Sequence, residues 1–349
     1  MISFQRGNGA VSDMEWVQVS DDGRSFVLDP SGVKFVPWGF NYDHDEKGRL
    51  IEDYWESEWA KVEEDFREMK QLGANVVRVH LQVGKFMESP DRPREAALRQ
   101  LGRLVKLAEQ LRLYLDLTGL GCYHKQDVPR WYDALTEKGR WDAQARFWEA
   151  VAAQCANSPA IFCYDLMNEP VVPGALKQND WLGPPFGGKH FVQFITLETG
   201  DRPRPAIARQ WIQHLTSAIR KHDRRHLITV GLVPWSLDRP GLTSGFVPQK
   251  ICDVLDFISV HIYPEEGKLD EAIRTLQGFA VGKPVLIEET FPLQCSPHAL
   301  ERFIEASEKI AAGWIGFYWG KTPEECRQSP AIGDALMLAW LELFMRKRR

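Results

Sequence analysis

Three glutamates close two of the most apolar runs in the chain: Glu169 follows "IFCYDLMN", and the doublet Glu288–Glu289 follows "PVLI". Two carboxylates that enter one cleft from separate segments can cleave a glycosidic bond, one protonating the departing oxygen while the other attacks the anomeric carbon or activates water. Other polar groups stand at comparable places. Arg78 and His80 end "NVVRVH", Asn168 directly precedes Glu169, His261 and Tyr263 lie in "ISVHIY", and Trp319 ends "GWIGFYW". A guanidinium beside a carboxylate favours its ionised, attacking form. An indole ring offers a flat surface to the apolar face of a sugar.

These residues act together only if the fold gathers the ends of their segments. Strand-type runs occupy 36–41, 75–80, 114–118, 161–168, 227–230, 257–261, 284–289 and 313–319. Between them, Trp59, Val62, Phe66, Met69 and Leu72 recur at steps of three and four, as do Leu98, Leu101, Val105, Ala108 and Leu111, each set forming one apolar helix stripe. Further helices fit 141–156, 206–221, 268–280, 298–311 and 333–346, whereas the stretch after Val230 predicts a helix reduced to a turn. This alternation predicts an α/β chain folded as a closed (β/α)8 TIM barrel, in which groups at the carboxyl ends of the strands do the chemistry. Residues 15–35, with "DDGRS" between "WVQV" and "FVLD", predict an N-terminal β-hairpin able to plug the barrel's bottom. The 349 residues are read as one catalytic domain, 1–349. Its longest connection, 170–205, carries Trp181 and "GPPFGG" and has the length of a functional loop or wall.

Composition removes several function classes. Lys and Arg number 43 against 48 Asp and Glu, a net charge of −5 that offers no footprint for nucleic acid. No run reaches the roughly 20 apolar residues of a membrane span, and no secretory signal is visible at the start, so a cytoplasmic location is expected. Cys122, Cys155, Cys163, Cys252, Cys295 and Cys326 stand singly, which predicts free thiols rather than a zinc site or disulfide framework. "DHD" at Asp43, His44 and Asp45 lacks further spaced ligands and reads as a solvated loop or sugar-contacting rim; no metal and no cofactor are expected.

Taken together, "VPWGFN", "LGANVVRVH", "YDLMNEP", "ISVHIYP" and "KPVLIEETF" resemble glycoside hydrolase family 5 of clan A over most of the chain. The resemblance implies a retaining β-glycosidase with Glu169 as acid/base and a Glu at the end of the seventh strand as nucleophile. The family's spacing from "KP" implies Glu289 rather than Glu288, although Thr290 and Phe291 stand where an aromatic residue and Gly are usual. Arg78 corresponds to a positioning arginine and Asn168 to the donor for the sugar's 2-hydroxyl. His261 and Tyr263 match a motif whose Tyr contacts the nucleophile and whose His lies near the acid/base. Trp319 corresponds to an aromatic platform beneath the sugar. Thr118 departs from the His that many members carry on the third strand, where Tyr123 and His124 could contribute instead.

The expected reaction is hydrolysis of β-linked glucosides or mannosides by double displacement. Transglycosylation on the same fold and a noncatalytic carbohydrate-binding barrel are the alternatives. An oligosaccharide or glycoconjugate is the expected partner, short or lipid-linked, with its site bounded by 170–205. Trp235, after the fifth strand, is a second candidate sugar platform.

Overall fold

The computed structural model describes residues 14–43, 45, 47–317 and 319–348. Eight parallel strands close on themselves: β1 (Trp38–Tyr42), β2 (Val76–Gln82), β3 (Tyr114–Gly121), β4 (Ile161–Asn168), β5 (Leu227–Leu232), β6 (Ile258–His261), β7 (Val285–Thr290) and β8 (Ala311–Gly316). Each pairs with the next, and β8 returns to β1 through Trp314–Trp38 and Gly316–Phe40. Helices cover the outside of the ring, so both faces of every strand are buried and the strands read as apolar runs without alternation.

Among the described residues, the helices of nine residues or more are α1 (Trp59–Leu72), α2 (Glu95–Leu111), α3 (Glu137–Cys155), α4 (Arg204–Ile219), α5 (Leu269–Gln277), α6 (Pro297–Ser307) and α7 (Ile332–Lys347). The stripe read for α1 is the face it buries: Trp59, Val62, Phe66, Met69 and Leu72. Gly73 then ends the helix in the left-handed region at φ 105°. The connection from β5 to β6 contains only one helical turn, Pro248–Ile251, and a 3₁₀ turn, in keeping with the thin helix signal there.

The predicted hairpin gains a third strand. Trp16–Val19, Phe26–Asp29 and Lys34–Phe35 form a small antiparallel sheet beneath the barrel. Phe26 projects from it edge-on to Phe162 and Phe257, each with ring centroids 5.1 Å away, among residues from the starts of the strands. All six cysteines are free thiols, four of them buried. Among the described residues no helix is long and apolar enough to cross a membrane.

β8 ends earlier than its apolar run suggests. Regular pairing stops at Gly316, where a Cβ would come within 2.0 Å of the Trp340 ring, and the chain bends at Phe317. Trp319 therefore lies three residues beyond the strand.

Candidate active site

Two local irregularities bring consecutive side chains to the same side of the wall, where a regular strand would send them apart. At the end of β4, Glu169 takes a positive φ of 47°, rare for a non-glycine residue. Asn168 and Glu169 then both face the mouth, Asn168 reaching Arg78 and Glu169 reaching His261. On β7 a β-bulge does the same: Val260 pairs with Ile287 but His261 with Glu289, leaving Glu288 as the extra residue.

Arg78, fully buried on β2, organises the result. One Nη donates to Glu289 Oε1 at 2.5 Å and Asn41 Oδ1 at 2.9 Å; the other donates to Asp165 Oδ2 at 2.7 Å and Asn168 Oδ1 at 3.0 Å. The opposite oxygen of Glu289 accepts from the Tyr263 hydroxyl at 2.6 Å. His261 Nδ1 lies 2.9 Å from Glu169 and 3.5 Å from Glu289, while its Nε2 lies 3.3 Å from Glu288. Glu169, His261 and Glu289 each place an atom within 4.8 Å of the others.

Below this layer lie Asp116, Asp165 and Glu288, three fully buried carboxyl groups also within 4.8 Å of one another. Burial and then the neighbouring charge of Glu288 push the Asp116 carboxyl well above the usual carboxylate range, against Arg78. Burial alone would also raise Glu288, but Arg78, His261 and the adjoining Asp116 hold it down at about 2. Asp165 is pushed up to about 7 by burial and Glu288, against Arg78; it accepts from Thr118 Oγ1 at 2.8 Å and the Gly231 amide at 2.7 Å. Burial would lower the His261 imidazole, but Glu289, Glu169 and Glu288 lift it to about 10. At Glu289, burial prevails over His261 and Arg78 and raises the carboxyl above its ordinary range. Both groups are oxygen-rich sets of the kind that hold hard cations, yet a guanidinium already lies 2.7 and 3.5 Å from two members of the deeper one.

Arg78, Asn168, Glu169, His261, Tyr263 and Glu289 are thus brought together, and Trp319 is not. Its ring is buried beside Phe40 and faces a recess lined by Glu68, Leu72 and Thr322 on the outer side of the wall. Among the described residues, the bend after β8 brings Phe317 to the mouth, 6.4 Å from the rings of both Tyr263 and Phe191. Trp235 lines a cavity of about 400 Å³ together with Leu242 and Tyr263. Tyr123 is buried with its hydroxyl 2.5 Å from His80 Nδ1, whereas His124 turns to the Gly48 carbonyl.

The loop that carried "DHD" is also organised differently from a solvated rim. Asp43 is buried against Lys189, and Asp45 accepts from Arg49 and two backbone amides; His44 lies outside the described residues. Asp116 and Asp165 escaped the sequence reading although each interrupts an apolar run, a visible signal. Gly231 carried no signal: a Cβ there would lie 2.9 Å from Glu288 and 3.0 Å from Arg78 and His261.

The cellulase (glycosyl hydrolase family 5) family model matches residues 34–321. A mannan endo-1,4-beta-mannosidase A of Emericella nidulans is 24% identical over 190 residues, covering 50% of this chain and 41% of that protein, so the match spans about two fifths of the relative's length. An exo-beta-1,4-mannosidase of Opitutaceae bacterium strain TAV5 superposes with a TM-score of 0.70 at 17% identity, covering 94% of this chain and 61% of that one. The GH5_18 protein of Bifidobacterium longum subsp. longum, solved in complex with Manβ1-4GlcNAc, superposes with a TM-score of 0.66 at 13% identity, covering 90% and 79%.

Proposed function

We propose, from the premise that this chain belongs to the cellulase family of glycosyl hydrolases, family 5, that it is a β-mannoside hydrolase in which Glu289 is the nucleophile and Glu169 the acid/base. The chain is a glycosidase of the family's retaining class, and one observation supports reading these two glutamates as its retaining pair. Oxygens of Glu169 and Glu289 lie within 4.8 Å of each other. Retaining enzymes hold their carboxyl groups about 5–5.5 Å apart, whereas inverting ones need about 6.5–9.5 Å to admit a water.

Glu289 is oriented for attack by Arg78 and Tyr263, one on each oxygen. A carboxylate oxygen forms a bond to the anomeric carbon as the bond to the leaving oxygen breaks, and that oxygen takes the proton of Glu169. Water then attacks the glycosyl–enzyme ester, giving its proton to Glu169 and releasing the sugar with Glu289 regenerated. His261 lies 2.9 Å from Glu169 and orients its carboxyl through both steps. Asn168, fixed by Arg78 and by donation to the Phe191 carbonyl, is positioned for the sugar's 2-hydroxyl.

Mannoside is favoured over glucoside by the activities of the similar mannosidases named above. The test is a panel of aryl β-mannosides and β-glucosides with the product anomer followed by NMR. The expected result is faster release from the mannoside with the β-anomer appearing first. Preference for the glucoside would overturn the substrate, and the α-anomer appearing first would overturn the mechanism.

A further inference from the structure

The connection from β4 to α4 does not stand beside the mouth; it crosses part of it. Just past its exposed tip, the His190 amide donates to the Tyr123 carbonyl beyond β3 at 2.8 Å, and Lys189 Nζ reaches Asp43 beyond β1 at 2.9 Å. Phe191 then packs on Tyr123, with centroids 5.9 Å apart, and on Phe317 beyond β8, with centroids 6.4 Å apart. A segment rooted at β4 is therefore anchored at β3, β1 and β8, over the half of the ring that holds Arg78 and His80. The Lys189–Asp43 pair is withdrawn from solvent on both sides, with side-chain exposures of 7% and 0%. It joins positions 146 residues apart in the chain.

On the opposite side, beyond β5 and β6, lies the cavity lined by Trp235, Leu242 and Tyr263, and Tyr263 also contacts Glu289. Glu169 turns toward this side, bonded to His261 of β6. In a displacement at the anomeric carbon, the leaving group departs on the side of the acid, and the far end of the donor sugar points away from it. The donor sugar's far end then meets the crossing segment, and the leaving group extends over Trp235.

We infer that the buried Lys189–Asp43 pair is the end stop of a pocket for one sugar, so that the enzyme removes single terminal residues from the non-reducing end of β-linked chains. This rests on the hydrolase reading above and adds the mode of attack and the residues that set it. The experiment digests end-labelled β-1,4-mannohexaose, reads the first products by chromatography, and runs an aryl β-mannoside in parallel. The wild type is expected to release monosaccharide and mannopentaose first. The double variant Asp43→Asn/Lys189→Met conserves side-chain volume but removes the ion pair that ties the crossing segment to the end of β1; freeing that segment is expected to raise the ratio of internal to terminal first cleavages by about ten-fold or more. Lys189→Ala, which also shortens the stop, is expected to raise it further, with circular dichroism confirming the fold of each variant.

Random internal cleavage by the wild type, with the aryl mannoside also cut, overturns the end stop and leaves the hydrolase reading standing. Terminal cleavage alone by a folded, active double variant overturns the role of the pair. Failure of the wild type on every β-mannoside overturns the functional reading itself.

Discussion

Glu288 and Glu289 are chain neighbours that reach the same guanidinium, at 3.5 Å and 2.5 Å from Arg78, one beneath the other. The bulge on β7 makes this possible, and it divides their work. Glu289 has a hydrogen-bond donor on each oxygen and faces the pocket; Glu288 is sealed between Ser259, His261 and Asp116.

Glu289→Gln is expected to lower kcat/KM on the order of 10⁴-fold without unfolding the chain, because it removes a group that acts in the chemical step. Glu169→Gln should cost about 10²–10⁴-fold on poor leaving groups and much less in the first step with activated aryl leaving groups, which need no proton. Steady-state and burst kinetics on paired substrates check both. Glu288→Gln acts on stability instead, at a cost of about 3–5 kcal/mol by leaving Arg78 and His261 under-compensated. A dead Glu288→Gln enzyme beside an active Glu289→Gln one would mean that the nucleophile is the deeper residue.

His261 makes stability depend on alkaline pH. Its imidazole is lifted to about 10 in the fold by Glu289, Glu169 and Glu288 against the effect of burial, while the unfolded chain releases that proton near the ordinary 6.5. The contribution is complete below about 6.5 and disappears as pH rises through about 10, on the order of a few kcal/mol. Urea unfolding at pH 7 and 9.5 should show a loss for the wild type that is smaller for His261→Asn; equal losses in both would refute this source.

Gly231→Ala is expected to damage site and fold together. Its new methyl would meet Glu288, Arg78 and His261 at 2.9–3.0 Å, closer than carbon tolerates. Overpacking of this kind costs about 1–3 kcal/mol. The readout is a lowered Tm together with a fall in kcat on the aryl mannoside; unchanged values for both would show that the network gives way without cost.

The long connection should respond unequally along its length. Phe186 at the tip is 68% exposed, so Phe186→Ser is expected to change Tm little. Trp181 is buried with Arg140 over its ring at 4.5 Å and its Nε1 donating to the Asp133 carbonyl. Trp181→Ala should cost about 3–5 kcal/mol. Thermal unfolding of the two variants side by side would expose an error in either assignment.

The barrel was legible because its signals are local: each strand is a short apolar run ending in a polar residue, and each helix stripe falls on one face. That Glu169, His261 and Tyr263 would be gathered at one end of the barrel was legible for the same reason, since each stands at or just past a strand end. Trp319 was misplaced because hydrophobicity runs on past Gly316, and only the packing of Trp340 against that glycine shows where β8 stops. The doublet at 288 and 289 stayed open to the residues alone, since a bulge changes which side chain faces inward without changing composition. Asp43 and Lys189 could not be joined from sequence at all, because a salt bridge across 146 residues leaves no spacing pattern.

The small sheet under the barrel also bounds the buried carboxyl groups from below. Phe26 packs against Phe162 and Phe257, and above that apolar floor Cys163 adjoins Asp116. The shaft is stoppered from below, so a proton bound for Asp116 or Asp165 enters by the route the substrate takes.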